Sequence, residues 1–141
     1  MSVTIDGLDR VQAWFRTREH RFDNPKPFFD RCVKILSESA SKTWNAGGRP
    51  KWIDRKKSYP WPILEKTGRL RRSMEAMTEG GGAVLRMSTS SGDAWMEKGT
   101  SVEYGQHHQF GTSKMVARPF VQLHDEDVDA IEQAEDYFFE D

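Results

Sequence analysis

Apolar residues recur at helical spacing in the first third of the chain and at strand spacing only past its middle. Leu8, Val11 and Phe15 at i, i+3 and i+7 predict a short amphipathic helix over residues 6–18, polar on its outer side. In the next helix Asn24 is the cap candidate, Pro25 suits the first helical position, and Gly47-Gly48 stops the run after about Ala46. Its apolar stripe is Phe29, Cys32, Leu36, Ala40 and Thr43, with Val33 and Trp44 beside it. Periodicity then fails over residues 47–62 amid Gly, Pro, Lys and Arg, which predicts a long exposed loop. Thr67 can cap a helix over 68–77 that buries Leu70, Met74 and Met77 and exposes Arg69, Arg71 and Arg72.

After Gly80-Gly81-Gly82 the pattern turns to strands, at 83–89 and 94–98, joined across Ser90-Ser91-Gly92-Asp93 as a hairpin. A short helix over 103–109 and a strand over 114–121 follow. A last helix is predicted over 124–138, with Val128, Ile131, Ala134 and Phe138 inward. Asp125, Glu126 and Asp127 fall in its first turn, where the helix dipole favours negative charge. This order predicts an α+β fold: N-terminal helices and a C-terminal helix packed on a small, mainly antiparallel sheet, with a long projecting loop.

The chain's 141 residues suit one domain, and eight Phe, five Trp and three Tyr are enough anchors for a core to make global disorder untenable. Its longest uninterrupted aliphatic run is Ala83-Val84-Leu85, far below the ~20 residues a membrane helix needs. The first residues carry neither a basic nor an apolar leader, so folding in the cytoplasm is expected. A single cysteine, Cys32, excludes an intrachain disulfide and a Cys-based zinc cluster, and its place on the helical stripe makes it a core residue.

Charge changes the picture more than composition does. Residues 49–72 hold nine Lys and Arg against two carboxylates, a net of +7, whereas residues 124–141 hold nine carboxylates and no Lys or Arg. The basic stretch interleaves Arg49, Lys51, Arg55, Lys56, Lys57, Arg69, Arg71 and Arg72 with Trp52, Tyr59 and Trp61. Three readings fit it: a subunit or partner interface complementary to the acidic tail of another copy, a solvated loop, or a nucleic-acid surface on which cations meet phosphates and rings meet bases. Residues 47–60 are expected to project as an arm that orders against a neighbour, because Trp52, Tyr59 and Trp61 are costly to leave in water.

Signals for catalysis are thin. His107 and His108 are adjacent and point apart on any regular element, with His20 and His124 distant in sequence, so no metal site is expected. There is no nucleophile elbow, and the Gly-Arg-Leu-Arg-Arg-Ser run after Thr67 lacks the glycine spacing of a phosphate loop. No cofactor is implied.

Residues 97–120 stand out. They combine Gly99, Gly105 and Gly111 with Tyr104 and Phe110, and they close on Arg118-Pro119-Phe120, a set suited to tight turns anchored by aromatics. Phe110 and Phe120 are expected to be buried, with Arg118 satisfying its donors on backbone carbonyls or a carboxylate. The order of motifs is a Trp ahead of a basic loop, Trp61-Pro62-Ile63-Leu64, Thr67-Gly68 with Leu70 and Ser73, and a strand pair ending at Gly99-Thr100. Tyr104, His108-Gln109-Phe110-Gly111 and Ala117-Arg118-Pro119-Phe120 complete it.

This ordered set, over about residues 5–123, resembles the phage virion morphogenesis family, the tail-completion proteins of Mu-like and P2-like phages, and is similar to siphophage neck proteins. Gly105 and Val116 stand where that family usually has alanine and proline. The resemblance implies a tail-completion domain over 1–123 with a basic arm at 47–60, followed by an acidic helix over 124–141 that matches no family motif. It implies a non-enzymatic virion protein, made in the host bacterial cytoplasm, that completes the tail at the neck as a ring, with a hexamer favoured. Its implied partners are other copies of itself, the head–tail connector, and tail tube or terminator proteins, with passing contact to DNA in the lumen and none to membrane. The competing class is a nucleic-acid-binding module using residues 49–72.

Overall fold

The computed structural model describes residues 24–90 and 93–139, and the helix expected over 6–18 lies outside them. Helix α1 spans Lys26–Asn45. Pro25 occupies its N-cap, with no side-chain cap from Asn24, and the Pro25 carbonyl accepts the N–H of Phe29 at 2.9 Å. At the other end, Gly48 N–H donates to Thr43 O (2.8 Å) and Gly47 N–H to Trp44 O (3.1 Å). These paired reverse bonds, with Gly47 in the left-handed region, stop the helix where the glycines predict. Phe28, Phe29, Cys32, Val33, Ala40, Thr43 and Trp44 form its buried side.

Helix α2, Arg69–Glu75, begins from Gly68, and Thr67 Oγ1 accepts the N–H of Arg69 at 3.3 Å. Leu70 and Met74 are buried as expected, but Met77 is exposed, because Ala76 turns to extended backbone and ends the helix before the next inward position arrives. Strands β1 (Ala83–Ser88) and β2 (Trp95–Thr100) pair antiparallel in a two-stranded sheet, Ala83 facing Thr100 and Ser88 facing Trp95. Two strands alone are marginal in water. This pair is supported by α2 and by Met87 and Met96, which pack against the Phe28–Phe29 cluster.

Helix α3, Gly105–Phe110, is short, and helix α4, Asp125–Phe139, lies along α1. The run 114–121, expected as a strand, begins inside a tight turn closed by the Thr112–Met115 bridge, and residues 116–121 join no strand. Helix α4 runs antiparallel to α1, since Asp127 meets Ser39 near one end and the Phe139 ring meets Phe28 at 5.5 Å near the other. Ile131 and Ala134 are buried, whereas Phe138 is exposed, and it is Phe139 that covers Phe28. One apolar cluster joins Ala40, Trp44, Trp52, Leu70, Met74, Val102, Phe120 and Val121. A second joins Phe28, Phe29, Cys32, Ile131 and Ala134, and Leu123 packs against both. The fold is α+β, with helices flanking the small sheet. Among the described residues no helix is long and apolar enough to cross a membrane.

Candidate functional site

Residues distant in sequence meet around Gln109. Its buried side-chain oxygen accepts the backbone N–H groups of Phe120 and Val121, both at 2.9 Å, and its amide nitrogen donates to Val121 O at 3.1 Å. A side chain on α3 thereby does for the 118–121 run what a neighbouring strand would do. Arg118 N–H donates to His108 O at 2.7 Å. The Arg118 guanidinium donates to Ile53 O (2.8 Å) and Asp54 O (3.4 Å), so the expected satisfaction by carbonyls is met on the basic loop.

Ser73 and Thr100 hydroxyls pair at 2.7 Å beneath α2, and Thr100 Oγ1 accepts Val102 N–H at 3.1 Å. Gly99 pairs with Val84 in the sheet. Gly111 has φ +74°, and a Cβ there would stand 2.9 Å from Met115 O, too close for a side chain. Gly105 begins α3 tightly packed, with a Cβ placed 3.2 Å from Leu70 and 3.4 Å from Phe120. The two phenylalanines part company. Phe120 is 2% exposed, but Phe110 is 67% exposed, because it is the last residue of α3 and Gly111 turns the chain away before any element covers it.

The basic segment divides in the same way. Trp52 is core rather than arm or interface: it is 4% exposed, edge-on to Trp44 at 5.6 Å, and its indole N–H donates to Pro119 O at 2.7 Å. Gly48 permits this, having φ +104° and no Cβ to strike the Trp52 ring. Arg49 is committed within the chain, to Glu126 (2.6 Å), Thr43 Oγ1 (3.0 Å) and Ser39 O (2.7 Å), clasping α1 to α4. Its hydrogen bond, aided by Lys42, holds the Glu126 carboxyl below the usual carboxylate range. Arg71 is likewise committed, to Glu65, to Glu75 at 3.2 Å and to Asn45 at 2.6 Å, with its pKa raised first by the Glu65 bond. Arg72 is exposed and donates to Thr67 O at 3.2 Å. Lys51, Lys56 and Lys57 are exposed.

The rest of the segment builds one wall of a cleft of about 570 Å³. Tyr59 and Trp61 stack at 5.0 Å and 24°. Arg55 lies 5.3 Å over Tyr59 and donates to Trp61 O at 2.8 Å, while Lys66 Nζ lies 5.3 Å over Trp61. Leu64, with φ 62°, turns this wall so that its carbonyl accepts the Trp44 indole N–H at 3.4 Å. Arg69, Tyr104, His108 and Arg118 close the other side. Tyr104 stands edge-on to His108 at 6.0 Å. Burial, then Arg118 and then His107 lower the His108 pKa, so its imidazole is neutral at neutral pH.

The lining holds no carboxylate among the described residues, so the cleft suits anionic groups carrying a ring or an apolar anchor. Lys66 was not among the interface residues expected from sequence, although its place within the basic run after Trp61 was a usable signal. Buried Lys98, donating to Met74 O at 2.5 Å, and the Ser39–Asp127 bond at 2.7 Å carried none, since each partner lies on a distant element.

No group of three metal-binding side chains occurs among the described residues. Burial pushes the Cys32 thiol up to about 12, which leaves it protonated and unreactive at neutral pH. No family model matches the chain, and neither a curated protein nor a solved structure matches it.

Proposed function

We propose that this chain is a non-enzymatic structural protein of a tailed phage, one that completes the tail at the neck and forms part of the head–tail junction as a ring of copies, six in the favoured state. The observation that carries this reading is the fate of the motif residues. Positions spread from Thr67 to Phe120 gather in one region, where Gln109, Arg118, Ser73 and Thr100 spend their polar groups on backbone and on each other. Phe110, in the midst of the same motifs, is turned outward. A scaffold of consumed polar groups bearing exposed rings suits recognition by whole surfaces, the mode a neck protein uses toward its own copies, the connector, and tube or terminator proteins. Electron microscopy of virions carrying a label on this chain tests the reading, together with head joining by tails that lack it. Density at the neck and tails that fail to join heads support it; absence of the chain from the particle overturns it.

A second reading, a nucleic-acid-binding module, draws on the Tyr59–Trp61 stack with Arg55 and Lys66 beside it. Salt-sensitive binding of an oligonucleotide by the isolated monomer, together with absence from virions, would favour it over the first.

A further inference from the structure

The cleft beside Trp61 and the exposed end of α4 are complementary, and they sit at opposite ends of the molecule. The cleft is reached from the C-terminal end of α1, where Trp44 holds Leu64. The end of α4 lies at the N-terminal end of α1, where Phe139 meets Phe28. Phe28 and Trp44 are separated by 16 residues of one helix, about 24 Å at 1.5 Å per residue. Within one chain these two surfaces cannot meet.

We infer that the C-terminal end of α4 of one copy, led by Tyr137 and Phe138, docks into the cleft walled by Tyr59, Trp61 and Arg69 of the next copy. The inference rests on the self-assembling reading above and names the contact that would make it. Tyr137 is 80% exposed and Phe138 38%, the two rings edge-on at 5.0 Å, so the tip offers a compact aromatic anchor. Exposed Glu132 and Asp136 flank that anchor, and Glu140 and Asp141 follow it in the sequence. Facing it, the cleft offers two stacked rings with Arg55, Lys66 and Arg69 around them. Aromatic contact supplies the buried anchor and opposite charge the orientation. Because the two surfaces differ and lie at opposite ends, the contact is head-to-tail, the kind that closes into a ring when the rotation between copies permits.

The test uses the full chain with one new cysteine at each surface, Thr67→Cys on the cleft wall and Asp136→Cys beside the anchor. Cys32 is buried and stays silent. Under a mild oxidant, a mixture of the two single variants should yield a linked dimer that goes no further, and the double variant a ladder or a closed ring. The paired change Tyr137→Ser with Phe138→Ser should lower the self-association constant at least about tenfold, the loss expected for a buried aromatic anchor, and Tyr137→Ser alone, at a ring 80% exposed, should weaken association with the unfolding midpoint in place. No linked species in the concentrated protein, or undiminished association of the paired variant, overturns the docking. So does an oligonucleotide that binds the cleft, is lost with Arg55→Ala and Arg69→Ala, and leaves self-association unchanged by the tail variants. A ladder from a protein absent from virion necks leaves the docking standing and removes the functional reading; a neck protein that gives no ladder removes the docking alone.

Discussion

Phe120 and Phe110 stand ten residues apart in the chain and belong to regions built on opposite rules. Around Phe120 three polar side chains are turned inward and used: Gln109 holds the backbone of 120–121, Trp52 holds Pro119, and Arg118 holds the basic loop. Around Phe110 and across the cleft, rings and cations are held in place but left facing solvent. On the proposed function, the difference separates stability from assembly within a single run of motifs. Substitutions in the first region should unfold the chain, and those in the second should leave it folded and unable to join its partners.

The largest effect belongs to Phe120→Ala. A ring that is 2% exposed and tilted against Trp44 at 5.5 Å leaves a cavity on removal, so the loss should be about 3–5 kcal/mol. Urea unfolding measures it. A loss under about 1 kcal/mol would mean that the region relaxes to fill the gap, and the two regions would no longer differ in kind.

Lys98 tests the inner region through pH. Burial lowers its pKa from 10.5 to about 8, against the opposing pull of Glu75. Between those two values the unfolded chain holds the proton that the folded chain has released, so stability rises with pH across the window. The gain is complete above 10.5 and is lost as pH falls through about 8. At full extent it should be about 3 kcal/mol. Urea unfolding across this range should show the rise in the wild type and not in Lys98→Met; parallel curves would show that Lys98 is solvated in the folded state.

The same contrast explains what could be foreseen from sequence. Helix α1 was legible because its limits are local: prolines at the start, a stripe at 3.6-residue spacing, and Gly47-Gly48 at the end. The hairpin was legible for the same reason, through two short runs after Gly80-Gly81-Gly82 joined by a polar turn. The run 114–121 reads as a strand and is not one, because a turn at 112–115 occupies its start and the side chain of Gln109 holds the backbone of 120–121, a substitute that no periodicity announces. Trp52 was misplaced on an arm because its burial depends on a reversal at Gly48 and a carbonyl 67 residues away. Of the site, the charge and aromatic content of residues 49–72 were visible, but not the division between residues spent inside the fold, Arg49 and Arg71, and residues left at the cleft, Arg55 and Arg69. That division is set by which carboxylates the tertiary fold brings near.

Arg118 lies on the boundary between the regions, 8% exposed yet lining the cleft. Its fork reaches two successive carbonyls, which a single ammonium cannot span. Arg118→Lys should therefore cost about 1–2 kcal/mol, through one carbonyl left unpaired and a looser basic loop. Thermal unfolding gives the cost, and hydrogen exchange at residues 53–57 should quicken. Unchanged exchange with a lowered midpoint would place the defect elsewhere.

The smallest effect on stability, and the sharpest test of the contrast, is Phe110→Ala. At 67% exposure the ring is mostly in water and little burial is lost on truncation, so the unfolding free energy should move by no more than about 0.5 kcal/mol. The backbone bond that ends α3, Gly111 N–H to His107 O at 2.9 Å, does not involve the side chain and should survive. If this face meets a neighbour, head joining by tails carrying the variant should fall while their subunits melt normally. Thermal unfolding beside a head-joining assay separates the cases: a midpoint lowered as far as that of Phe120→Ala would return Phe110 to the core, and an unchanged midpoint with normal joining would remove it from the assembly surface.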